Sequence, residues 1–344
     1  MKNARSIIVG ISGLTLNKNE ISHLKYYLPL GVILFSRNIK NNYQLSKLVN
    51  QIRDVVGFNC LILIDQEGGR VQRLKEPDYP NYPASDNFGK LAIKSLEEAV
   101  RAVYLNYYLI GSDIINLGIN VNCAPCLDVK SDKTHSIIGN RSFSSDPYIV
   151  SLLGEAACIG LMDSGVLPII KHIPGHGRAN SDSHLSLPII NDTLKTLEKS
   201  DFIPFKALSK MPIAMTAHIL YKGLDSKWPI TQSKVANKYI KEELNYKGIL
   251  ISDDIEMSAL SGDTKSIIES VYNAGYDIIL HCSGKTEDTE IALKNGKILT
   301  NDIIKKLQFS LDKINKVNNF GDLASYQSEL SVILKKHINY NLYF

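Results

Sequence analysis

Residues 166–184 read Val-Leu-Pro-Ile-Ile-Lys-His-Ile-Pro-Gly-His-Gly-Arg-Ala-Asn-Ser-Asp-Ser-His. The first five residues form a short apolar run, the pattern of a strand buried on both faces. Such a strand delivers Lys171 and His172 at its C-terminal end. Pro174, Gly175 and Gly177 then turn the chain into a polar loop. Three of the chain's eight histidines (His172, His176 and His184) lie here, with Asp182 beside them. Strand ends that open into polar loops are where α/β enzymes carry their chemistry. The rest of the chain is therefore read as a frame holding this loop over a pocket.

The same apolar pattern recurs outward from this segment. Runs at 6–12, 31–36, 61–65, 119–125, 166–172, 212–218, 248–253 and 276–282 have the consecutive apolar positions of parallel strands. Between them, 17–28, 43–56, 96–117, 146–164, 194–208, 232–244 and 265–274 have helical spacing. Asp146-Pro147 opens one helix as cap and first-turn proline, and Gly165 and Gly275 close others. This alternation predicts an α/β fold, a (β/α)8 barrel, which typically takes about 250 residues and more with insertions. Residues 301–344 read as C-terminal helices packed on the outside. No linker, repeat or low-complexity tract divides the chain, so 1–344 is expected to be a single catalytic barrel domain. The ionisable residues gather at one end of the expected strands. Asp65 ends the third, Asp128 follows the fourth, and Lys171 and His172 end the fifth. His218 ends the sixth, Asp253 and Asp254 the seventh, and His281 lies near the end of the eighth. That is the catalytic face of such barrels.

The bulk composition agrees with a large soluble core: 344 residues, 44% hydrophobic and 22% charged. The net charge of +4 comes from scattered lysines. No basic stripe with interleaved aromatics appears, which argues against a nucleic-acid partner. Five cysteines make no disulfide framework. Cys123-Ala-Pro-Cys126 lacks a second pair and lies in an apolar run, so it reads as buried structural cysteine in a reducing cytoplasm. The N-terminal apolar run is broken by Gly10, Ser12 and Gly13 and reads as a first core strand rather than a secretion signal. No run has the length to span a bilayer.

Four stretches carry candidate chemistry. Asp65-Gln-Glu-Gly-Gly-Arg-Val-Gln-Arg73 joins a carboxylate to two arginines across a tight double-glycine bend. It suits gripping hydroxyls and carboxylates, and equally an ion-paired loop that staples the rim. In Gly139-Asn-Arg-Ser-Phe143, Arg141 can reach into the site or pair with Asp146. In Asp182-Ser-His184, residues i and i+2 of an extended loop share a face. The carboxylate can then orient the imidazole for proton transfer near neutral pH. In Ile249-Leu-Ile-Ser-Asp-Asp-Ile-Glu-Met257, Asp253 ends an apolar strand aimed at the pocket, where it can attack an electrophilic sugar carbon. Asp254, its neighbour, is expected to point elsewhere, into rim pairing or helix capping.

Together these motifs resemble the bacterial β-N-acetylhexosaminidases of glycoside hydrolase family 3, of the single-barrel type. The resemblance also includes Gly31-Val-Ile-Leu-Phe-Ser-Arg-Asn38, and it runs in order to about residue 285. It implies a retaining exo-β-N-acetylglucosaminidase with Asp253 as nucleophile and His184 as acid/base, held by Asp182. Asp65, Arg73, Arg141, Lys171 and His172 would contact the sugar ring, and His176 would shape the loop. The implied substrate is a small carbohydrate, an N-acetylglucosaminyl-anhydromuropeptide, met in the cytoplasm during cell-wall recycling. The protein is expected to act as a monomer with no metal, organic cofactor or membrane partner. Water or phosphate completes the second step. The rival reading makes His172, His176, Asp182 and His184 ligands of a catalytic metal. It leaves Asp253 and the arginine-bearing third loop without a role.

Overall fold

The computed structural model describes residues 1–132, 134–183, 185–315 and 321–344. Eight parallel strands close into a barrel in which each strand pairs with its sequence neighbours and the last returns to the first. They are β1 (Arg5–Gly10), β2 (Pro29–Leu34), β3 (Leu61–Ile64), β4 (Val121–Asn122), β5 (Leu167–Ile173), β6 (Ile213–Thr216), β7 (Ile249–Asp254) and β8 (Ile278–His281). The expected (β/α)8 fold is the one observed. Each strand alternates between two apolar environments, as a period of two requires. Ile8, Ile33, Leu61, Leu63, Val121, Cys123, Leu167, Ile169, Ile213, Met215, Ile249, Ile251, Ile278 and Leu280 pack together as the barrel interior. Ile7, Val9, Val32, Leu34, Ile62, Ile64, Ile170, Ala214, Leu250 and Ile279 face the other way into the helical shell.

The shell consists of α1 (Lys18–Tyr27), α2 (Asn42–Val56), α3 (Ser85–Lys94), α4 (Leu96–Ile115), α5 (Pro147–Asp163), α6 (Leu194–Glu198), α7 (Ile203–Ala207), α8 (Lys234–Glu242), α9 (Thr264–Ala274), α10 (Thr286–Asn295), α11 (Asn301–Asn315) and α12 (Leu323–Ile338). The caps follow the sequence. Asp146 accepts from the backbone N–H of Tyr148 and Ile149 with Pro147 in the first turn, and Gly275 ends α9 in the left-handed conformation.

Three expectations needed revision. The helix read over 194–208 is two short helices, α6 and α7. Asp201 intervenes, its carboxylate tied to Arg178. Pro204, which lacks a backbone donor, falls in the first turn of α7. The helices α3 and α10 were not anticipated. Finally, α11 does not lie against the outer wall. Its Ile303, Leu307, Leu311 and Ile314 join the interior cluster, so it caps the N-terminal end of the barrel. Residues of α12 pack against α3 and α4. With that end plugged, the C-terminal mouth is the open face. Among the described residues no helix is long and apolar enough to cross a membrane.

Candidate active site

The alternation that fills the barrel also builds its mouth. On β3 the inward positions are Leu61 and Leu63, and the next is Asp65. On β5 they are Leu167, Ile169 and then Lys171. On β7 they are Ile249, Ile251 and then Asp253. Each apolar series thus ends in an ionisable side chain at the same height. These three line a cavity of about 380 Å³ with Arg70, Arg73, Arg141, His172 and Asp254. Its apolar wall includes Ile33, Phe35, Val71, Met215, Met257 and Leu280. The pairing of β5 with β6 shifts register between Lys171 and Ile173. This irregularity accompanies the presentation of two successive residues, Lys171 and His172, to the one cavity.

One half of the site is an ion-pair network. Lys171 Nζ lies 2.9 Å from Asp65 Oδ1 and 2.7 Å from Glu67 Oε1. Arg73 Nη2 donates to Asp65 Oδ2 at 3.1 Å, and its guanidinium sits over the Phe35 ring, 5.6 Å from the centroid. Arg141 grips Glu67 with two parallel bonds, Nε to Oε2 at 2.9 Å and Nη2 to Oε1 at 2.8 Å. Burial alone would push both carboxyls up. Lys171 and Arg73 outweigh it at Asp65 and hold that group well below the carboxylate range. Arg141 and Lys171 bring Glu67 down to about 2. Burial likewise disfavours the Lys171 charge, but Asp65 and Glu67 raise that ammonium well above its ordinary value.

The other half centres on Asp128, wholly buried in the loop after β4. Its Oδ2 is 2.7 Å from His172 Nδ1. Its Oδ1 accepts the backbone N–H groups of His172 (3.2 Å) and His176 (2.7 Å). Burial opposes ionisation of Asp128, yet His172 holds it well below its usual range. With Nδ1 occupied, His172 turns Nε2 toward Asp253, 3.9 Å from Oδ2. Burial again works against the Asp253 carboxylate, and His172 and His218 overcome it, so the group is lowered and ionised at neutral pH. Asp253 Oδ1 also accepts the Asp254 N–H at 2.8 Å. Asp254 remains part of the cavity wall, contrary to expectation. Its Oδ1 is nonetheless turned to the backbone N–H groups of Glu256 (3.2 Å) and Cys282 (3.1 Å). Burial, with Asp253 beside it, pushes Asp254 up to about 6. Two adjacent carboxyls are thereby driven apart in acidity. His218 steadies this strand end, its Nε2 2.9 Å from the Asp254 carbonyl oxygen and its Nδ1 2.7 Å from Thr231 Oγ1.

The loop after β5 is pinned at its root. Gly177 approaches the Val129 backbone so closely that a Cβ there would lie 1.7 Å from the carbonyl oxygen. Tyr221 donates to the Gly175 carbonyl at 2.6 Å. His176 is buried, its ring 5.5 Å from that of His172, and burial and His172 lower it to about 4, so it stays neutral. Further on, the Asp182 carbonyl accepts from Leu185 (2.9 Å) and Ser186 (3.1 Å). The Ser183 carbonyl accepts from the Ala259 N–H at 3.1 Å, in the segment that follows β7. His184 lies outside the described residues.

The structure therefore brings Asp65, Arg73, Arg141, Lys171, His172 and Asp253 together around one cavity. Asp182 is on the loop and not in the cavity wall. Two residues were missed as partners. Glu67 lies inside the Asp65–Arg73 motif, and Asp128 follows the fourth strand. Arg141 pairs with Glu67 rather than Asp146. Glu67 was findable as the second carboxylate two positions after Asp65. Asp128 had no local signal. Cys126, Asp128 and His172 offer potential ligand atoms within 4.8 Å of one another. Cys126 Sγ donates to Asp128 Oδ2 at 3.2 Å, and burial raises the thiol well above its ordinary range, so it remains a protonated donor. The trio reads as a hydrogen-bonded cluster. Cys123 is buried in the barrel interior, as expected of a structural cysteine.

The lowered carboxyls set the response to acid. Unfolded Asp and Glu titrate near ~4. Asp65, Glu67 and Asp128 titrate lower in the folded chain, so their contribution is complete above ~4 and is lost as pH falls through the folded values. Between pH 4 and 2 the wild type is expected to lose stability more steeply than Asp65→Asn in denaturant titrations. Equal slopes would remove Asp65 from the account.

Comparison with known proteins agrees with this architecture. The model of the glycosyl hydrolase family 3 N-terminal domain matches residues 7–311. A β-hexosaminidase of Bordetella avium is 30% identical over 315 residues, 90% of this chain and 86% of that protein. The crystal structure of NagZ from Neisseria gonorrhoeae in complex with N-trifluoroacetyl-D-glucosamine superposes with a TM-score of 0.86 at 28% identity, covering 96% of this chain and 98% of that one. A family 3 β-N-acetylglucosaminidase from Paenibacillus superposes with a TM-score of 0.84 at 27% identity, covering 96% of this chain and 67% of that one. The chain belongs to glycosyl hydrolase family 3 and is a glycosidase of its bacterial β-N-acetylhexosaminidase type.

Proposed function

We propose that the chain is a retaining exo-β-N-acetylglucosaminidase that removes terminal non-reducing N-acetylglucosamine from cell-wall muropeptides during peptidoglycan recycling in the cytoplasm. The observation that carries the reading is Asp253, an ionised carboxylate at the end of β7 in the wall of a cavity rich in paired polar groups. Asp65, Arg73 and Lys171 offer acceptors and donors for the hydroxyls of a sugar ring. Arg141 fixes Glu67 and through it Lys171. His172, locked by Asp128, presents Nε2 beside the nucleophile. The acyl-amino sugar bound by the gonococcal relative supports an N-acetylglucosamine in this cavity.

In the first step an Asp253 oxygen bonds to C1 as the C1–O bond to the leaving group breaks. His184, oriented by Asp182, gives its proton to the departing oxygen. In the second step His184 takes a proton from water, whose oxygen bonds to C1 and releases the Asp253 carboxylate. Most retaining enzymes perform this with two carboxylates about 5–5.5 Å apart. An imidazole in place of the second spares Asp253 a neighbouring negative charge. The bond between Ser183 and Ala259 supports the pairing, because it ties the loop that carries His184 to the segment following Asp253.

Leaving-group dependence tests the reading. Protonation matters most when the leaving oxygen is basic, and general acid catalysis contributes ~10²–10⁴-fold. His184→Ala is therefore expected to lose far more glycosylation rate, in single-turnover kinetics, on an alkyl N-acetyl-β-glucosaminide than on a dinitrophenyl one. The same loss on both would rule out His184 as the proton donor.

A further inference from the structure

We propose that the base of the barrel holds a second binding site, for a free single-chain amphiphile with an anionic head, of which a fatty-acid carboxylate is the simplest case. A cleft of about 320 Å³ lies there between α11 and the N-terminal ends of β5, β6 and β7. That volume falls in the range of small-ligand pockets, about 300–1,000 Å³. The cleft sits at the opposite end of the strands from Lys171 and Asp253 and shares no residue with the catalytic cavity. Its walls are largely apolar, with Met162, Leu167, Met211 and Pro212 on the barrel side and Phe309 on α11. The two faces of α11 have separate partners. Ile303, Leu307, Leu311 and Ile314 plug the barrel. Lys306, Phe309, Ser310 and Lys313, spaced by three and four residues, form the stripe that walls the cleft. Phe309 on that stripe is 75% exposed, an aromatic ring that nothing in the chain covers.

Charge selects the ligand. Lys306 and Lys313 of α11 face Lys210 and Lys247, which stand in the loops entering β6 and β7. No acidic residue lines the cleft. Lys306 pairs with Asp302 at 3.0 Å, one turn back on the helix. Among the described residues no carboxylate pairs with Lys210, Lys247 or Lys313. Like charges gathered around one apolar hollow repel each other, and an anion placed among them relieves that repulsion. Ammonium groups on flexible stems attract an anion without fixing its shape, so the site reads charge and apolar length rather than head-group geometry. An aliphatic chain below the head would cover Phe309 and pack against two adaptable methionine side chains. Met162, Leu167, Met211 and Pro212 are buried or half-buried. The apolar surface is thus mostly recessed, which suits a single chain entering from solvent better than the flat face of a bilayer.

Isothermal titration calorimetry of the full chain with decanoate, decanol and decyltrimethylammonium, each below its micelle concentration, tests the site. Decanoate is expected to saturate a single site, with decanol bound about tenfold more weakly, the scale of one charge-assisted hydrogen bond, and the cation not bound. Combining Lys247→Gln with Lys313→Gln, at two exposed positions, should bring decanoate down to the affinity of decanol. Phe309→Ser removes apolar wall and no charge, so it should weaken decanoate and decanol alike. In the wild type the preference for decanoate over decanol should shrink as ionic strength rises. Absence of decanoate binding, equal affinity for decanoate and decanol, or a decanoate isotherm that the lysine changes leave intact overturns the proposal. Displacement of decanoate by N-acetylglucosamine overturns it too, because that would place the amphiphile in the mouth of the barrel. So does cosedimentation of the wild type with phosphatidylglycerol vesicles that the lysine changes abolish, which would make this face a bilayer contact.

Discussion

Asp253→Ala is expected to lose turnover of an aryl N-acetyl-β-glucosaminide by on the order of 10⁶-fold, the scale seen when a covalent nucleophile is removed. The fold should survive the change. Asp253 is the last inward residue of β7, and its removal takes a buried negative charge away from Asp254, whose carboxyl is pushed up to about 6 by burial and by Asp253 itself. The variant should therefore melt close to the wild type, so lost activity cannot be blamed on lost structure. Asp254→Asn, whose side chain is engaged with the backbone of Glu256 and Cys282, is expected to lose less activity than Asp253→Ala. Equal rates for wild type and Asp253→Ala would exclude the aspartate as nucleophile.

Lys171→Met has the largest expected effect on stability. Lys171 is only 2% exposed and is the sole direct bridge between Asp65 and Glu67 among the described residues. Methionine fills similar space but leaves two buried carboxylates with less compensation. Breaking a buried ion pair from one side costs about 3–5 kcal/mol, because the charge left behind stays desolvated. Thermal unfolding should show a clear fall in melting temperature. Adding Asp65→Asn to Lys171→Met should recover part of it, since one stranded charge is then gone, and the two changes should couple strongly. A Lys171→Met protein as stable as the wild type would mean that the network contributes little to the fold. Such a protein is also expected to bind sugar weakly, since Asp65 would lose a partner that positions it.

Much of this arrangement was legible in the chain because it follows from alternation. Leu61, Leu63 and Asp65, or Ile249, Ile251 and Asp253, need only a period of two to share a face, and the apolar residues announce the strand. The barrel followed from eight such runs with helical spacing between them. What escaped is non-local. Nothing beside Asp128 reveals that His172 and His176 will fold onto it from the next strand end. Arg141 and Glu67 are brought together only when the loops after β3 and β4 meet. The break between α6 and α7 depends on Arg178 reaching Asp201. The capping role of α11 depends on which end of the barrel its apolar stripe covers, and helical periodicity cannot specify that. His184 lies outside the described residues, so its partnership with Asp253 stands on the motif and on the bond between Ser183 and Ala259.

That partnership is open to a direct measurement. In His184→Ala a dinitrophenyl N-acetyl-β-glucosaminide needs no proton donor to leave, but the second step lacks its base, so the covalent intermediate should accumulate. Intact mass spectrometry of the quenched protein is expected to show one added N-acetylglucosaminyl residue, and peptide mapping should locate it on Asp253. Rapid turnover with no accumulated adduct, or an adduct mapped to any other residue, would contradict the two-step mechanism assigned to Asp253 and His184.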